Sequence, residues 1–323
     1  MLYVLKRKDQ IITLVDFLED GSVYKFHQDL VHPELAPLHD VKNHDWLKQW
    51  WKRRSVPISQ GHIRSMLAKK GLLGPEDFLL KNLGLSLTDY YWISPMDSGL
   101  TWKDVNLFDN AFHGDILISA DANEKKEEIP HYTPNGSLQG SLEKSWTILH
   151  GERGLLKGNR DQFSTESINE VIASTMHRMQ DFDAYTDYKL IKINGREYDY
   201  GCYSKLFTSQ KKELISAYEV VISERQFNDI SLYEHFIQVC GKHGMDTDKL
   251  RHFMDYMILS DFVLSGRDRH LGNVSILRDA ESLRFIAPAP IYDSGKCLFI
   301  QDTVPANDRD LLSIKTESFA SDE

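Results

Sequence analysis

Apolar and polar residues alternate over the first 28 positions of the chain, which is the pattern of half-buried β-strands. The alternation runs through YVLKR, ITLVDFL and SVYKFH, and Asp20 with Gly21 favours a turn before the last of these segments. We therefore expect a β-meander or a set of hairpins. Short helices are expected next, one near Ser59 to Leu73 and one that opens at Gly74 and Pro75, since proline suits a first helical turn.

Strand and helix patterns both continue through the rest of the chain. SWTIL with GLLKG predicts an antiparallel hairpin, and YKLIKI with REYDYGCYSKLF, joined at Asn194 and Gly195, predicts a second one. Helical periodicity predicts helices over residues 211–224, 231–242 and 246–265, and another over STESINEVIASTMHRMQ. The apolar face of this last helix is expected to hold Ile168, Val171, Ile172, Met176 and Met179.

Two polar loops at the ends of apolar runs carry the most informative residues. The loop in SGRDRHLGNVSIL contains Asp268 and Asn273, and the loop in APAPIYDSG contains Asp293. Metal-dependent phosphoryl transfer needs a base, a metal-ligating amide and a metal-ligating carboxylate, and these three residues supply them in that order. Each residue alone is more often a turn former that bonds its own backbone. Their common setting beside buried strands favours kinase chemistry.

A glycine-bearing loop and a lysine that binds phosphate are expected upstream of these residues. Gly140 lies in a loop whose backbone can approach a phosphate closely, and Lys157 projects from the first hairpin, with Lys144 as a second candidate. The spacing is not that of a Walker A loop, which disfavours a P-loop NTPase. Glu170 fits an ion pair with Lys157 better than Glu166 does, because a carboxylate in the first helical turn serves the helix N-terminus.

Four segments, in this order, resemble the HipA-like serine/threonine kinases, the family of the bacterial persistence toxin HipA. SLQGSLEK is similar to the phosphate loop of that family, and NE at Asn169 and Glu170 is similar to its helix motif. RDRHLGN resembles its catalytic loop, and APIYDSG resembles its metal-binding segment. The resemblance covers residues 133–300, and the ordered set of motifs is more specific than any one of them.

The resemblance implies a role for each matching residue of the phosphate loop and its neighbours. Lys157 would contact the α and β phosphates of ATP, and Glu170 would orient this lysine. Lys144 would lie near the γ phosphate, and Gly140 would belong to the loop that covers the nucleotide. Ser137 occupies the position of a serine that can be autophosphorylated in members of this family, which ejects the loop and silences the enzyme.

For the catalytic loops, the resemblance implies that Asp268 is the base and that Asn273 and Asp293 are ligands of Mg²⁺. His270 is expected to lie at the nucleotide site as part of the catalytic-loop motif. The second strand of the later hairpin should end in the hinge that touches adenine. The hinge candidates are Cys202 and Tyr203.

The predicted fold class is α+β, a two-lobed protein-kinase-like (HipA-like) fold with a β-rich ATP-binding lobe and a helical C-terminal lobe. The expected domains are an N-terminal accessory region over residues 1–130, the ATP-binding lobe over 131–207 and the catalytic lobe over 208–323. We predict an ATP- and Mg²⁺-dependent serine/threonine protein kinase that can autophosphorylate. By family analogy it could act as a toxin or effector.

Other functions remain open at this point. RDRH also resembles the catalytic loop of phosphoinositide kinases, so a lipid or small-molecule kinase is one alternative. A pseudokinase or regulatory module that binds nucleotide without turnover is another. The expected partners are a protein substrate with a serine or threonine acceptor, and an antitoxin or regulatory protein.

Composition limits the partners and the compartment. The chain has 323 residues, a formal net charge of −10 and 41% hydrophobic residues, with no apolar run near the length of a membrane span. The three cysteines lack disulfide or metal spacing, as in a reducing compartment, so a cytoplasmic protein is expected, with a translocated effector left open. The acidic balance predicts neither a nucleic-acid nor a membrane partner. The basic residues around Trp50 and Trp51 are expected on a helix that buries both tryptophans.

Overall fold

The chain divides into two compact units, Met1–Gly158 and Asn159–Glu323. The computed structural model describes residues 1–60, 63–112, 114, 132–298, 300 and 316–320. The three-part division with boundaries at residues 130 and 207 stays a prediction. In the part of the chain that the structure describes, no helix combines the length and apolar composition needed to cross a membrane.

An antiparallel four-stranded sheet, in the order β3-β2-β1-β4, lies at the centre of the first unit. Its strands are β1 (Leu2–Arg7), β2 (Gln10–Phe17), β3 (Val23–Phe26) and β4 (Tyr91–Pro95). The predicted N-terminal meander is therefore confirmed for β1 to β3. The fourth strand comes from an aromatic-rich segment for which the sequence pattern predicted no strand, and all but its last residue are buried.

Helix α1 (Trp46–Arg54) buries its tryptophans in the first unit. The ring of Trp51 packs against Phe17 of β2 at a centroid distance of 4.9 Å, and its indole N–H donates to the carbonyl oxygen of Gly21 at 2.9 Å. Large aromatic side chains contribute most to a core when the polar atom also finds a partner, as it does here. The predicted helix with buried tryptophans is confirmed.

The other elements of the first unit are short. Its described residues also contain three helices and one antiparallel hairpin: α2 (Ile63–Lys69), α3 (Pro75–Lys81), α4 (Trp102–Val105), β5 (Lys144–Leu149) and β6 (Glu152–Lys157). Single 3₁₀ turns cover Pro33–Leu35 and Pro134–Ser137. The charged run DANEKKEEIPHYTPNG over residues 121–136, whose composition predicts a solvated linker, falls mostly outside the described residues.

Gly21 offers a sharp test of packing in the first unit. It has φ +80, and a Cβ at this position would lie 2.3 Å from the carbonyl oxygen of Glu76. Gly99 has a similar φ of +64 but no heavy atom within 4 Å of that point. We expect Gly21→Ala to lower the free energy of unfolding well beyond the roughly 1–2 kcal/mol that left-handed backbone strain alone costs in Gly99→Ala. Urea denaturation of both variants checks this, and equal losses would contradict the close approach.

The second unit contains four helices and seven strands within its described residues. The helices are α5 (Thr165–Met179), α6 (Ala217–Ser223), α7 (Leu232–Lys242) and α8 (Thr247–Val263). The strands are β7 (Tyr188–Lys192), β8 (Tyr200–Lys205), β9 (Lys212–Ser216), β10 (Arg269–His270), β11 (Ser275–Asp279), β12 (Phe285–Pro288) and β13 (Ser318–Ala320). Strands β7 and β8 form the predicted antiparallel hairpin, β9, β11 and β12 form a three-stranded sheet, and β10 pairs with β13 in parallel.

The predicted helix over residues 211–224 is wrong in its first part. Residues 212–216 form β9, which pairs antiparallel with β11, and burial there has the period of two that marks a strand, with Glu213 and Ile215 inside. The helix begins only at Ala217, after a capping box in which Ser216 and Glu219 bond each other's backbone amides. The predicted helices over 231–242 and 246–265 are confirmed as α7 and α8.

Candidate active site

The loop after α8 places Asp268 and Asn273 next to each other. The side-chain amide of Asn273 donates to the carbonyl oxygen of Asp268 at 2.7 Å, and Asn273 is buried at the end of a single 3₁₀ turn over Leu271–Asn273. This bond uses the nitrogen of the amide and leaves its oxygen as an acceptor. Asp268 itself is only partly buried, as a residue that meets a substrate should be.

The second loop, with Asp293, is fastened to α5. The backbone amide of Ser294 donates to the Glu170 carboxylate at 2.9 Å, and the Asn169 side chain donates to the carbonyl oxygens of Gly295 at 3.0 Å and Cys297 at 2.8 Å. A Cβ on Gly295 would lie 3.0 Å from the carbonyl oxygen of Glu166, which is tighter than most Cβ contacts, so the loop approaches the helix closely here. The segment NE thus ties the predicted metal-binding loop to the helix. The predicted pairing of Glu170 with Lys157 stays a prediction.

These contacts overturn the predicted inward face of α5. Ile168, Ile172 and Met179 are exposed, although the sequence pattern predicted that they would be buried. The buried side is largely polar instead: Glu166, Ser167, Asn169, Glu170, Ala173, Ser174 and His177. The physical reason is that this side binds backbone groups of the Asp293 loop, which apolar side chains cannot do.

Glu166 also has a specific partner. Its carboxylate lies 2.7 Å from the guanidinium of Arg160, and it is buried in the first turn of α5. Burial raises the pKa of Glu166, and the charge of Asp293 contributes in the same direction, against the lowering effect of Arg160. The carboxylates of Glu166 and Asp293 therefore influence each other's charge.

Arg269 connects the two loops from below the surface. Its guanidinium lies 3.1 Å from both carboxylate oxygens of Asp261 on α8, and it also donates to the hydroxyl of Ser294 and to the carbonyl oxygens of Asn273 and Tyr292. Burial opposes the charge of Arg269, but the nearby carboxylates outweigh it and raise its pKa. Arg269 is therefore charged, and its hydrogen bonds fix the catalytic and metal-binding loops relative to each other.

Sequence reasoning did not find Arg269, Asp261 or the ion pair between Lys296 and Asp268. Lys296 Nζ lies 2.8 Å from Asp268 Oδ2. Two signals in the sequence point to these residues: an arginine between two candidate catalytic residues, and a single aspartate in the apolar stretch YMILSDFVL. Buried charges in such positions are rarely present without a partner.

The predicted phosphate-binding residues lie in the first unit. Lys144 and Lys157 are opposite each other on β5 and β6, so both side chains are on one face of the hairpin, and both are buried. Lys144 Nζ lies 2.5 Å from the point that a Cβ on Gly140 would occupy. Two lysines on one face of the hairpin, one of them beside the exposed Gly140, suit an anionic ligand.

The loop that carries Ser137 and Gly140 is held by the rest of the first unit. Ser137 Oγ donates to the carbonyl oxygens of Pro134 at 2.9 Å and Leu85 at 3.0 Å, and the side chain of Gln60 donates to the carbonyl oxygen of Gly140 at 3.0 Å. The loop is therefore fixed at both of these predicted residues.

Three of the predicted site residues remain: His270, Cys202 and Tyr203. His270 turns its ring towards its own loop, where Nδ1 accepts from the backbone amide of Gly272 at 3.0 Å. Cys202 is buried in β8, Tyr203 follows it half-buried, and β8 ends at Lys205. All three cysteines are free and buried.

Within the second unit, the structure gathers Asp268, Asn273, Asp293, Glu170 and His270 on two adjoining loops and one helix.

The chain resembles a known protein in sequence over part of its length. No protein-family model matches the chain. It is 30% identical over 101 residues to the serine/threonine-protein kinase CtkA of Helicobacter pylori, a match that covers 30% of this chain and 31% of CtkA. The match thus spans about a third of the length of that curated relative.

Two solved structures match parts of the chain. A chain of the Shewanella oneidensis MR-1 complex of HipA, HipB and operator DNA matches with a TM-score of 0.53 at 12% identity, over 91% of this chain and 76% of the other. The crystal structure of the proinflammatory kinase CtkA of Helicobacter pylori matches with a TM-score of 0.46 at 21% identity, over 56% of this chain and 66% of the other. The predicted α+β fold of the HipA-like kinase type is confirmed. The chain is therefore similar in fold to a chain of the HipA complex and, over 101 residues, similar in sequence to a serine/threonine-protein kinase.

Proposed function

We propose that this chain is an ATP- and Mg²⁺-dependent kinase that transfers phosphate to serine or threonine side chains of proteins, including its own. The observation that carries the proposal is the joint anchoring of the loops with Asp268, Asn273 and Asp293 by Arg269 and by the NE segment of α5. A fold that fixes these two loops against each other supports a single site built from both. The serine/threonine kinase CtkA supports the same chemistry by sequence similarity.

In this site Asp268 would accept the proton of the attacking hydroxyl group. Phosphoryl transfer needs mostly positioning and charge neutralisation, and no covalent enzyme intermediate. The hydrogen bond from Asn273 to the Asp268 carbonyl oxygen, and that from Arg269 to the Asn273 carbonyl oxygen, fix the backbone that carries the base.

Asn273 and Asp293 would hold Mg²⁺, whose charge offsets that of the nucleotide phosphates. The donors fit, since Mg²⁺ prefers oxygen ligands and usually keeps several waters beside one or two protein carboxylates. Asn273 has an oxygen left as acceptor, and Asp293 adopts a left-handed backbone with φ +58 that is rare outside glycine and common at ligand sites. Among the described residues, no three His, Cys, Asp or Glu side chains converge in a metal site, so a closed protein cage is not what these donors offer.

The nucleotide phosphates would bind to Lys157 and Lys144 on the hairpin, with Gly140 in the covering loop. Glu170 would orient Lys157, and Cys202, Tyr203 and His270 would complete the nucleotide site. We assign residues 1–130 to an accessory region, 131–207 to the ATP-binding lobe and 208–323 to the catalytic lobe.

Ser137 is the proposed autophosphorylation site. Its hydroxyl has one hydrogen, which it shares between two backbone carbonyl oxygens, and phosphorylation of the hydroxyl removes this donor. Phosphate on Ser137 would therefore place negative charge beside two carbonyl oxygens and expel the loop. An antitoxin-like regulatory partner is proposed by analogy with the HipA complex, which contains HipB. Action in the cytoplasm, or as a translocated effector, stays a prediction.

The acceptor is decided by a direct transfer experiment. We expect the wild-type protein, given labelled ATP and Mg²⁺, to label itself and a generic serine-containing protein, and EDTA to abolish the labelling because the phosphates lose their counter-charge. Vesicles that contain phosphoinositides serve as the competing acceptor, since RDRH also resembles the loop of phosphoinositide kinases. Label in lipid alone would replace the protein-kinase proposal by a lipid kinase. ATP binding without label on any acceptor would favour a pseudokinase.

A further inference from the structure

We propose that Lys296 is a positioning residue of this site, and that its ammonium group holds the Asp268 carboxylate in the orientation that accepts the substrate proton. The inference rests on the proposed kinase function. Lys296 lies outside the four motifs that carry the family resemblance, two residues after Ser294 and one after Gly295. Its side chain nevertheless returns to the catalytic loop.

The contact between Lys296 and Asp268 has the geometry of a strong ion pair. Nζ lies 2.8 Å from Oδ2, and the side chains are 24% and 30% exposed, so solvent screens the pair less than a surface pair. The backbone adds a second link between the same segments, because the amide of Arg267 donates to the carbonyl oxygen of Lys296 at 3.1 Å.

Both ends of the pair are anchored before the side chains meet. Asn169 binds the carbonyl oxygens on either side of Lys296, those of Gly295 and Cys297, which fixes the backbone from which the lysine projects. The carbonyl oxygen of Asp268 accepts from Asn273, which fixes the backbone of the base. Only the side-chain rotamers of Lys296 and Asp268 remain to be fixed, and the ion pair between them fixes both.

The ion pair gives the two carboxylate oxygens of Asp268 different roles. Oδ2 faces the ammonium group, so we assign Oδ1 to the hydroxyl of the acceptor. In the transfer step the hydroxyl oxygen forms a bond to the γ-phosphorus, its proton passes to Oδ1, and the bond from the γ-phosphorus to the bridging oxygen breaks to leave ADP. A lysine fixed at Oδ2 keeps Oδ1 directed at the hydroxyl and its charge balances the carboxylate.

The test compares Lys296→Met and Lys296→Arg with a matched control, Lys242→Met. Lys242 forms an ion pair with Glu224 at the surface of the same unit, outside the candidate site. We expect Lys296→Met to lower kcat by about 10²-fold, the cost of a misplaced catalytic group, while KM for ATP and the urea midpoint of unfolding stay near wild type. Lys296→Arg should recover a large part of kcat, and Lys242→Met should leave it unchanged.

The outcomes separate this proposal from the function on which it rests. An inactive wild-type protein would overturn the kinase function and the role of Lys296 together. An active wild type with unchanged or raised kcat in Lys296→Met would overturn the positioning role alone. The positioning role would also be overturned if kcat of Lys296→Met fell together with the unfolding midpoint and Lys296→Arg did not restore it. Lys296 would then only stabilise the structure.

Discussion

Replacing Asp268 by asparagine should lower the rate of phosphate transfer by about 10²- to 10⁴-fold, the usual contribution of a general acid or base. Asparagine has the shape of aspartate but cannot take up the proton of the attacking hydroxyl. Because the side chain is only partly buried and its backbone is held by Asn273, the fold should not change. ATP affinity should stay near wild type, since the phosphates are assigned to Lys144 and Lys157.

Steady-state transfer rates and calorimetric ATP binding measure the two expectations separately. Asp255→Asn is the control, because Asp255 is an exposed aspartate on α8 that bonds only to Tyr233 among the described contacts. Full transfer by Asp268→Asn would remove Asp268 as the base. A loss of ATP binding together with transfer would show that the residue acts on the nucleotide instead.

Replacing Arg269 by methionine should lower the free energy of unfolding by about 3–5 kcal/mol, because it leaves a buried carboxylate on Asp261 without its counter-charge. Asp261 keeps one partner, the hydroxyl of Ser318, at 2.6 Å, and a neutral hydroxyl cannot offset a buried charge. The substitution also removes the donors to Ser294 and to the carbonyl oxygens of Asn273 and Tyr292. We therefore expect transfer to fall as well, even where the protein remains folded.

Arg251→Met is the matched control for this loss. Arg251 contacts the carboxylate of Glu234 at 2.8 Å, with both side chains about a third exposed, and such surface pairs contribute about 0–1 kcal/mol. Urea denaturation of both variants gives the comparison. Equal effects of the two substitutions would show that Arg269 does not stabilise the loops from inside, and the joint anchoring of the site would lose its support.

The parts of the fold that the sequence predicts are those with local signals. The meander β1 to β3, the hairpin with Lys157 and the helices α7 and α8 follow directly from periodicity and turn residues. The strand β9 was missed because its five residues merge with the helix that follows, and only the capping box at Ser216 marks the boundary.

For the candidate site, the sequence predicted the residues that lie in short motifs but not the contacts between distant segments. Motif spacing found Asp268, Asn273, Asp293 and the NE segment, because each lies within a short run of sequence. Periodicity failed on α5, since the inner face of this helix binds the backbone of residues 294–297 through polar side chains. Arg269 with Asp261 and Lys296 with Asp268 are contacts between distant segments, and no local pattern encodes them.

The most direct test of the kinase function is the intact mass of the wild-type protein and of Asp268→Asn after incubation with ATP and Mg²⁺, followed by peptide mapping of any phosphate. The proposed mechanism predicts added phosphoryl groups on the wild-type chain alone, with Ser137 among the modified residues. Equal phosphate on both proteins would contradict the assigned base. ATP binding by the wild type with no phosphate on its own chain or on any offered acceptor would contradict kinase activity itself.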